Sequence, residues 1–268
     1  MSRLNTAIGV AVLAVMLFPL YWMLNASLLP STELIKPEPT WFPVHGTLDG
    51  YRNALSSQGG HLLTSLYIAL GTVAVTLAVA VPAAYGLAQL RAPLARTLLF
   101  SLLVAQMIPG IVMADALYVA ANKLLLLNTP IALILADSTL CVPFAVLILH
   151  AFMRGIPAEI REAAALDGAS DLRALRSVIL PVSRNAVITA SLFSFLFAWA
   201  DFLFAVTLTT RDEAAPITVG IYRFIGAHIS DWNSVMATGV IASLPVAVLL
   251  VVAQRYVAAG ITTGSVKD

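Results

Sequence analysis

Six stretches of this chain run for about twenty residues or more with almost no charge, at 7–28, 62–89, 97–121, 130–152, 186–209 and 234–258. A helix needs about 20 apolar residues to cross a hydrocarbon core about 30 Å thick, so each stretch has the length of one crossing. A soluble globule of 268 residues has no place for six of them, and composition agrees. Hydrophobic residues make up 60% of the chain and charged ones 11%, where about 25% is usual for a soluble domain. The mean hydropathy is +0.91. The runs are continuous rather than alternating, which separates them from the roughly ten-residue strands of a membrane barrel. The expectation is an all-α integral membrane protein with six transmembrane helices.

The first run is too long for the apolar core of a signal peptide, no small-residue cleavage site follows it, and Tyr21 and Trp22 suit a membrane interface. Orientation follows from the basic residues. With the N-terminus inside, the inner segments hold Arg3, Arg91, Arg96, Arg154, Arg161, Arg173, Arg176, Arg184, Arg255 and Lys267, ten of the fifteen. The outer ones hold Lys36, Arg52, Lys123, Arg211 and Arg223. This bias places both termini in the cytoplasm. A Pro-rich segment at 29–61 and a polar one at 210–233 then become extracytoplasmic loops, and 153–185 a cytoplasmic one, within a single transmembrane domain spanning 1–268. Pro82, Pro109, Pro143 and Pro245 lie inside spans and are expected to kink them.

Several chemistries are excluded. A net charge of +1 gives no field for nucleic acid, and Cys141 alone makes neither a disulfide nor a cysteine zinc site. His45, His61, His150 and His228 are scattered, without metalloprotease spacing. No phosphate-binding Gly-x-x-x-x-Gly-Lys-Ser/Thr occurs, so any ATP and Mg2+ belong to another chain. The chain itself is expected to bind no cofactor and no metal, and to catalyse no reaction. No internal repeat is visible, which weighs against inverted-repeat secondary transporters.

The cytoplasmic segment is the most informative. Pro157 suits the first turn of a helix, Glu159 and Glu162 lie near its positive end, Ala163, Ala164 and Ala165 propagate it, and Gly168 stops it after Asp167. Ser170 can cap a second helix from Asp171 to about Ile179, ended by Pro181. A short helix with slim side chains can enter a groove on another protein; the residues alone equally allow an amphipathic connector resting on the membrane.

The run from Glu162 through Ala163, Ala164, Asp167, Gly168 and Ala169, with Leu180-Pro181 beyond it, resembles the EAA loop of ABC importer permeases. The flanks from Phe152 to Glu159 and from Phe193 through Trp199 and Asp201, the stretches Phe18–Ser27 and Thr64–Thr72, and the tail from Ile261 to Lys267 are similar to its carbohydrate (MalG-like) branch. The likeness covers essentially the whole chain. It implies a type I importer permease fold in the inner membrane of a prokaryote, working with a second permease subunit, an ABC ATPase dimer and an extracytoplasmic substrate-binding protein. It implies that Glu159, Glu162, Ala163, Ala164, Asp167, Gly168 and Ala169 couple to the ATPase, and that Gly264 and Lys267 approach it. The chain departs from the family pattern at Asn185, Ala200 and Asp201, outside the coupling helix.

Asp115, Asp137 and Asp201 fall within or beside spans, where a carboxylate costs at least about 2.5 kcal/mol unless it faces water or a partner. With Tyr118 and Trp199, whose rings can stack on a pyranose, they are the candidate substrate path. Asp115 and Asp137 would suit a cationic cargo such as an amino sugar; the alternative is an interfacial or purely structural acid. The function expected is ATP-driven, binding-protein-dependent import of a sugar or sugar derivative. A glycerophosphodiester, polyol or other small solute as cargo, or an ion-coupled carrier using the three acids as a relay, are the competing expectations.

Overall fold

Helices that must satisfy every backbone N–H and C=O within themselves are the natural answer to such a sequence. The computed structural model describes residues 3–212, 214–227 and 231–263, with side chains for all of these except 227 and 255–263. Among the described residues every regular element is helical. The helices are α1 (Arg3–Leu28), α2 (Ser31–Leu34), α3 (Asp49–Gln89), α4 (Ala92–Ala105), α5 (Gly110–Lys123), α6 (Pro130–Arg154) and α7 (Ala158–Leu166). After them come α8 (Asp171–Ala174), a π-helical turn (Leu175–Ile179), α9 (Leu180–Val182), α10 (Arg184–Ala200), α11 (Leu203–Leu208), α12 (Ile217–Ala227) and α13 (Trp232–Thr263). Among the described residues four helices are long and apolar enough to cross a membrane, and two bent pairs bring the number to six if each is one span.

The chain divides into two compact units. One comprises Met1–Leu62 with Val219–Ala247, the other Leu63–Thr218 with Val248–Asp268, each over its described residues. In the first, Asn233 is 4% exposed, and its Nδ2 donates to the carbonyls of Ser27 (2.9 Å) and Leu29 (2.7 Å) at the end of α1. Gly50 permits this close approach, since a Cβ there would lie 2.1 Å from Asn233 Oδ1. In the second unit, α3 buries a stripe of small residues, Ser65, Ala69, Thr72, Thr76, Ala80 and Ala84. Small side chains let helices pack closely in a membrane. Gly71 extends that closeness to α6, because a Cβ on it would sit 2.4 Å from Ile134 Cδ1. Tyr85, Ala88, Val146, Leu149, Met153, Leu175 and Ile179 continue the packing into one hydrophobic cluster.

The structure corrects several expectations. The segment 29–61 is not loop throughout: α3 begins at Asp49, giving a 41-residue helix about 60 Å long. Its first turns are too polar to register as a span, yet Ala54 and Gln58 bury one face of them. The segment 210–233 likewise carries α12, eleven residues long. The third run is broken, with α4 and α5 meeting at 90°. Pro109 removes a backbone donor and restricts Ile108 before it, so the helix restarts at Gly110. Pro82, Pro143 and Pro245, by contrast, sit inside continuous helices. The fifth run stops at Asp201 and resumes as α11. Pro181 lies inside the helix, which runs one residue past it to Val182; the turn before it widens to π geometry, and the chain bends by 83° two residues after it, around Ser183.

Candidate functional site

The short helix α7 is built from both of its ends. Pro157 stands at its N-cap with φ −54° and ψ 138°, and Glu159 occupies its first turn. At the other end Gly168 adopts φ +77°, a left-handed conformation that costs glycine little. There Gly168 N–H donates to Ala165 O and Ala169 N–H to Ala164 O, both at 3.0 Å. This 5→2 and 6→1 pair is a Schellman cap, and it satisfies carbonyls that the helix end would otherwise leave open.

One face of α7 is turned inward. Ala164 is 8% exposed, and Ile156 and Ile160 join the hydrophobic cluster formed by α3, α6 and the π-turn. Arg154, at the end of α6, donates to Ala88 O at 3.3 Å, fixing the end of α3 beside it. The opposite face carries Glu159, Glu162, Ala163, Leu166 and Asp167, all exposed. The spacing 159, 162, 163, 166 puts them on one helical stripe. Leu166 is 89% exposed, a large apolar side chain that no described residue covers. Leu166 is not among the residues that the resemblance picks out, and its place seven residues after Glu159, two helical turns on, sets it on the same stripe. Ala169 lies at the rim of a cleft of about 250 Å³, shared with Tyr85, Gln89, Arg161, Glu162, Ala165 and Asp171.

From α7 the chain runs through α8, the π-turn and α9 to the bend at Ser183, and then into α10, which packs along α6. The intramembrane residues lie on this packed pair. Asp137 on α6 is 1% exposed, and its Oδ1 has no hydrogen-bond partner among the described residues. Cys141, one turn further along, is buried, with Sγ 4.0 Å from Ser194 O on α10. Trp199 is 6% exposed and stacks on Phe195, ring centroids 5.6 Å apart. Asp201 ends α10, and its carboxylate accepts the N–H groups of Ala205 (2.8 Å) and Phe204 (3.3 Å), capping α11. Its carbonyl accepts the Thr218 hydroxyl at 2.7 Å.

Asp115 and Tyr118 lie elsewhere, exposed on α5. The five candidate path residues therefore fall into two sets: Asp137, Trp199 and Asp201 on packed helices, and Asp115 and Tyr118 on an open surface. Gly264 and Lys267 lie outside the described residues.

Residues 77–263 match the family of binding-protein-dependent transport system inner membrane components. The chain is 35% identical to the sulfoquinovosyl glycerol transport system permease of Agrobacterium fabrum, over 94% of this chain and 89% of that one. It is 32% identical to the trehalose transport system permease of Mycobacterium tuberculosis, over 94% and 92%. In fold it resembles a chain of a bacterial ABC transporter involved in alginate import, with a TM-score of 0.80 at 22% identity, covering 96% of this chain and 98% of that one.

Proposed function

The chain belongs to the family of binding-protein-dependent transport system inner membrane components, and on that footing we propose that it is the permease subunit of an ATP-driven importer for a sugar or sugar derivative. Relatives named for sulfoquinovosyl glycerol and trehalose transport support a carbohydrate cargo. The membrane it crosses is then a prokaryotic inner membrane, with both termini in the cytoplasm. Its partners are a second permease, a pair of ATPases and an extracytoplasmic substrate-binding protein.

The observation that carries this reading is the exposed stripe of α7, a helix seated on its own chain by one face and left bare on the other. Glu159, Glu162, Ala163, Leu166, Asp167, Gly168 and Ala169 meet the ATPase, and Ala164 holds the helix to the permease. Movement of the ATPases pushes α7. Because α7 is packed on α3, α6 and the π-turn, the push reaches the bend at Ser183 and tilts α10, alternating access to the path. Gly264 and Lys267 add a contact beside the ATPase pair. In the path, Trp199 and Tyr118 offer faces for sugar rings and Asp115 accepts sugar hydroxyls or a cationic amino group. Asp137 and Asp201 reach the cargo only if α6 and α10 separate in another state of the cycle.

Uptake of labelled sugars into proteoliposomes holding the assembled importer tests this. Transport should need the ATPase subunits and the binding protein and survive collapse of ion gradients. Transport by this chain without an ATPase, driven by a gradient, would overturn the reading. Asp115→Asn and Asp137→Asn report the cargo: an amino-sugar path loses uptake with Asp115→Asn, and unchanged uptake of every substrate by both variants removes the acids from the path.

A further inference from the structure

The aromatic residues at the far end of α1 form a second surface, unrelated to coupling or cargo. Phe18 lies 6.4 Å from Trp22 and 6.3 Å from Trp41, ring centroid to centroid. Trp22 and Trp41 meet edge to face at 5.9 Å, and Tyr21 meets Phe42 at 6.4 Å. Trp41 and Phe42 come from the segment after α2, folded back beside the helix. Asn25 Nδ2 donates to Thr40 O at 2.7 Å and the Tyr21 hydroxyl donates to Trp41 O, so backbone 40–41 is tied to α1 at a fixed height. The rings remain open: Phe18 is 46% exposed, Trp41 52% and Phe42 69%.

Three observations identify the occupant. Tyr21 stands eighteen residues beyond Arg3, about 27 Å along a helix, close to the thickness of a hydrocarbon core. Below the rings, the most apolar window of α1 is wholly unburied by its own chain, and above them the segment carries Glu33, Lys36 and Glu38. The rings therefore sit where an apolar surface gives way to a charged one. The indole N–H groups of Trp22 and Trp41 donate to nothing among the described residues. An apolar ring with a free donor fits the level where acyl chains meet ester carbonyls and phosphates.

We propose that Phe18, Tyr21, Trp22, Trp41 and Phe42 form a collar that docks into the headgroup–acyl boundary of the outer phospholipid leaflet. The collar fixes the depth of α1 and holds the segment that follows against the membrane surface. The fold-back matters to the function of the collar: it adds two rings, from twenty residues further along the chain, to the three that α1 supplies.

The test is photocrosslinking in the assembled importer, reconstituted in phosphatidylethanolamine–phosphatidylglycerol vesicles. p-Benzoylphenylalanine replaces Phe42, an exposed aromatic exchanged for an aromatic, and separately Trp41; a third preparation carries it at Leu166. At positions 42 and 41 the expected main product is a phospholipid adduct, read by mass spectrometry of the permease band. An adduct to the second permease or to the binding protein as main product would overturn the collar, and so would the absence of any adduct, which marks a ring in water. The Leu166 preparation should give an ATPase adduct; its failure would count against the importer reading and leave the collar standing.

Discussion

Gly168→Ala isolates one backbone conformation from everything around it. A Cβ at this position would meet none of the chain's described atoms within 4 Å, so the substitution creates no clash within the permease. What it changes is the cost of holding φ at +77°, which for a residue with a Cβ is about 1–2 kcal/mol. That shifts the capped form of α7 against its frayed alternatives by a factor of about 5–30. The whole transporter does not unfold, because the cost is local and the inner face of α7 still packs. Binding-protein-stimulated ATP hydrolysis and uptake, measured together in proteoliposomes, should both fall. Asparagine, which visits the left-handed region more readily than alanine, should rank between glycine and alanine, and valine should be worst. A ranking in which alanine equals glycine, or asparagine does no better than valine, would refute the argument that the cap fixes the helix.

Leu166→Ser removes an apolar side chain whose burial contributes about 1.5–3 kcal/mol, so titration of ATPase subunits onto the permease pair should show binding weaker by one to two orders of magnitude, with the permease's own thermal midpoint unchanged. Asp201→Ala loses the cap of α11 and should lower the thermal stability of the detergent-purified complex by about 1 kcal/mol. Asp201→Asn keeps an acceptor and should retain most of that stability, so a loss of uptake in the asparagine variant alone would assign the charge to transport. Gly71→Ala overpacks α3 against α6 at a cost of about 1–3 kcal/mol, and adding Ile134→Val, which deletes the nearest atom, Cδ1, but leaves Cγ1 2.9 Å from the new Cβ, should recover only part of the lost melting temperature.

Hydropathy revealed the crossings because insertion energy depends on composition summed along a segment, and that sum survives ignorance of neighbours. It revealed α7 for a different reason: Pro157 and Gly168 mark helix ends through their own backbone preferences. What sequence could not place depends on neighbours. Residues Asp49–His61 look like loop because they are polar, yet they are helical, with Ala54 buried and with Gly50 and Gln58 lying against Asn233 and Gly220 far along the chain. Of the prolines inside spans, Pro109 alone opens its helix to a right angle, and it is the one followed by a glycine whose Cβ would come within 3.2 Å of Leu203. The same limit applies to the site. Asp115 and Asp137 read alike as intramembrane acids, yet one is exposed on α5 and the other enclosed on α6, a difference made by the rotation of each helix. Asp201, read as a path residue, has its carboxylate engaged by two backbone N–H groups.

In the assembled importer the bare face of α7 lies under an ATPase. Cys141, the one native cysteine, is buried, so Leu166→Cys gives this chain a single reactive thiol on the face in question. Its rate of modification by a water-soluble maleimide is measured for the permease pair before and after the ATPase subunits are added. Labelling should be rapid without them and strongly suppressed with them; labelling at the same rate in both would mean that no ATPase covers α7.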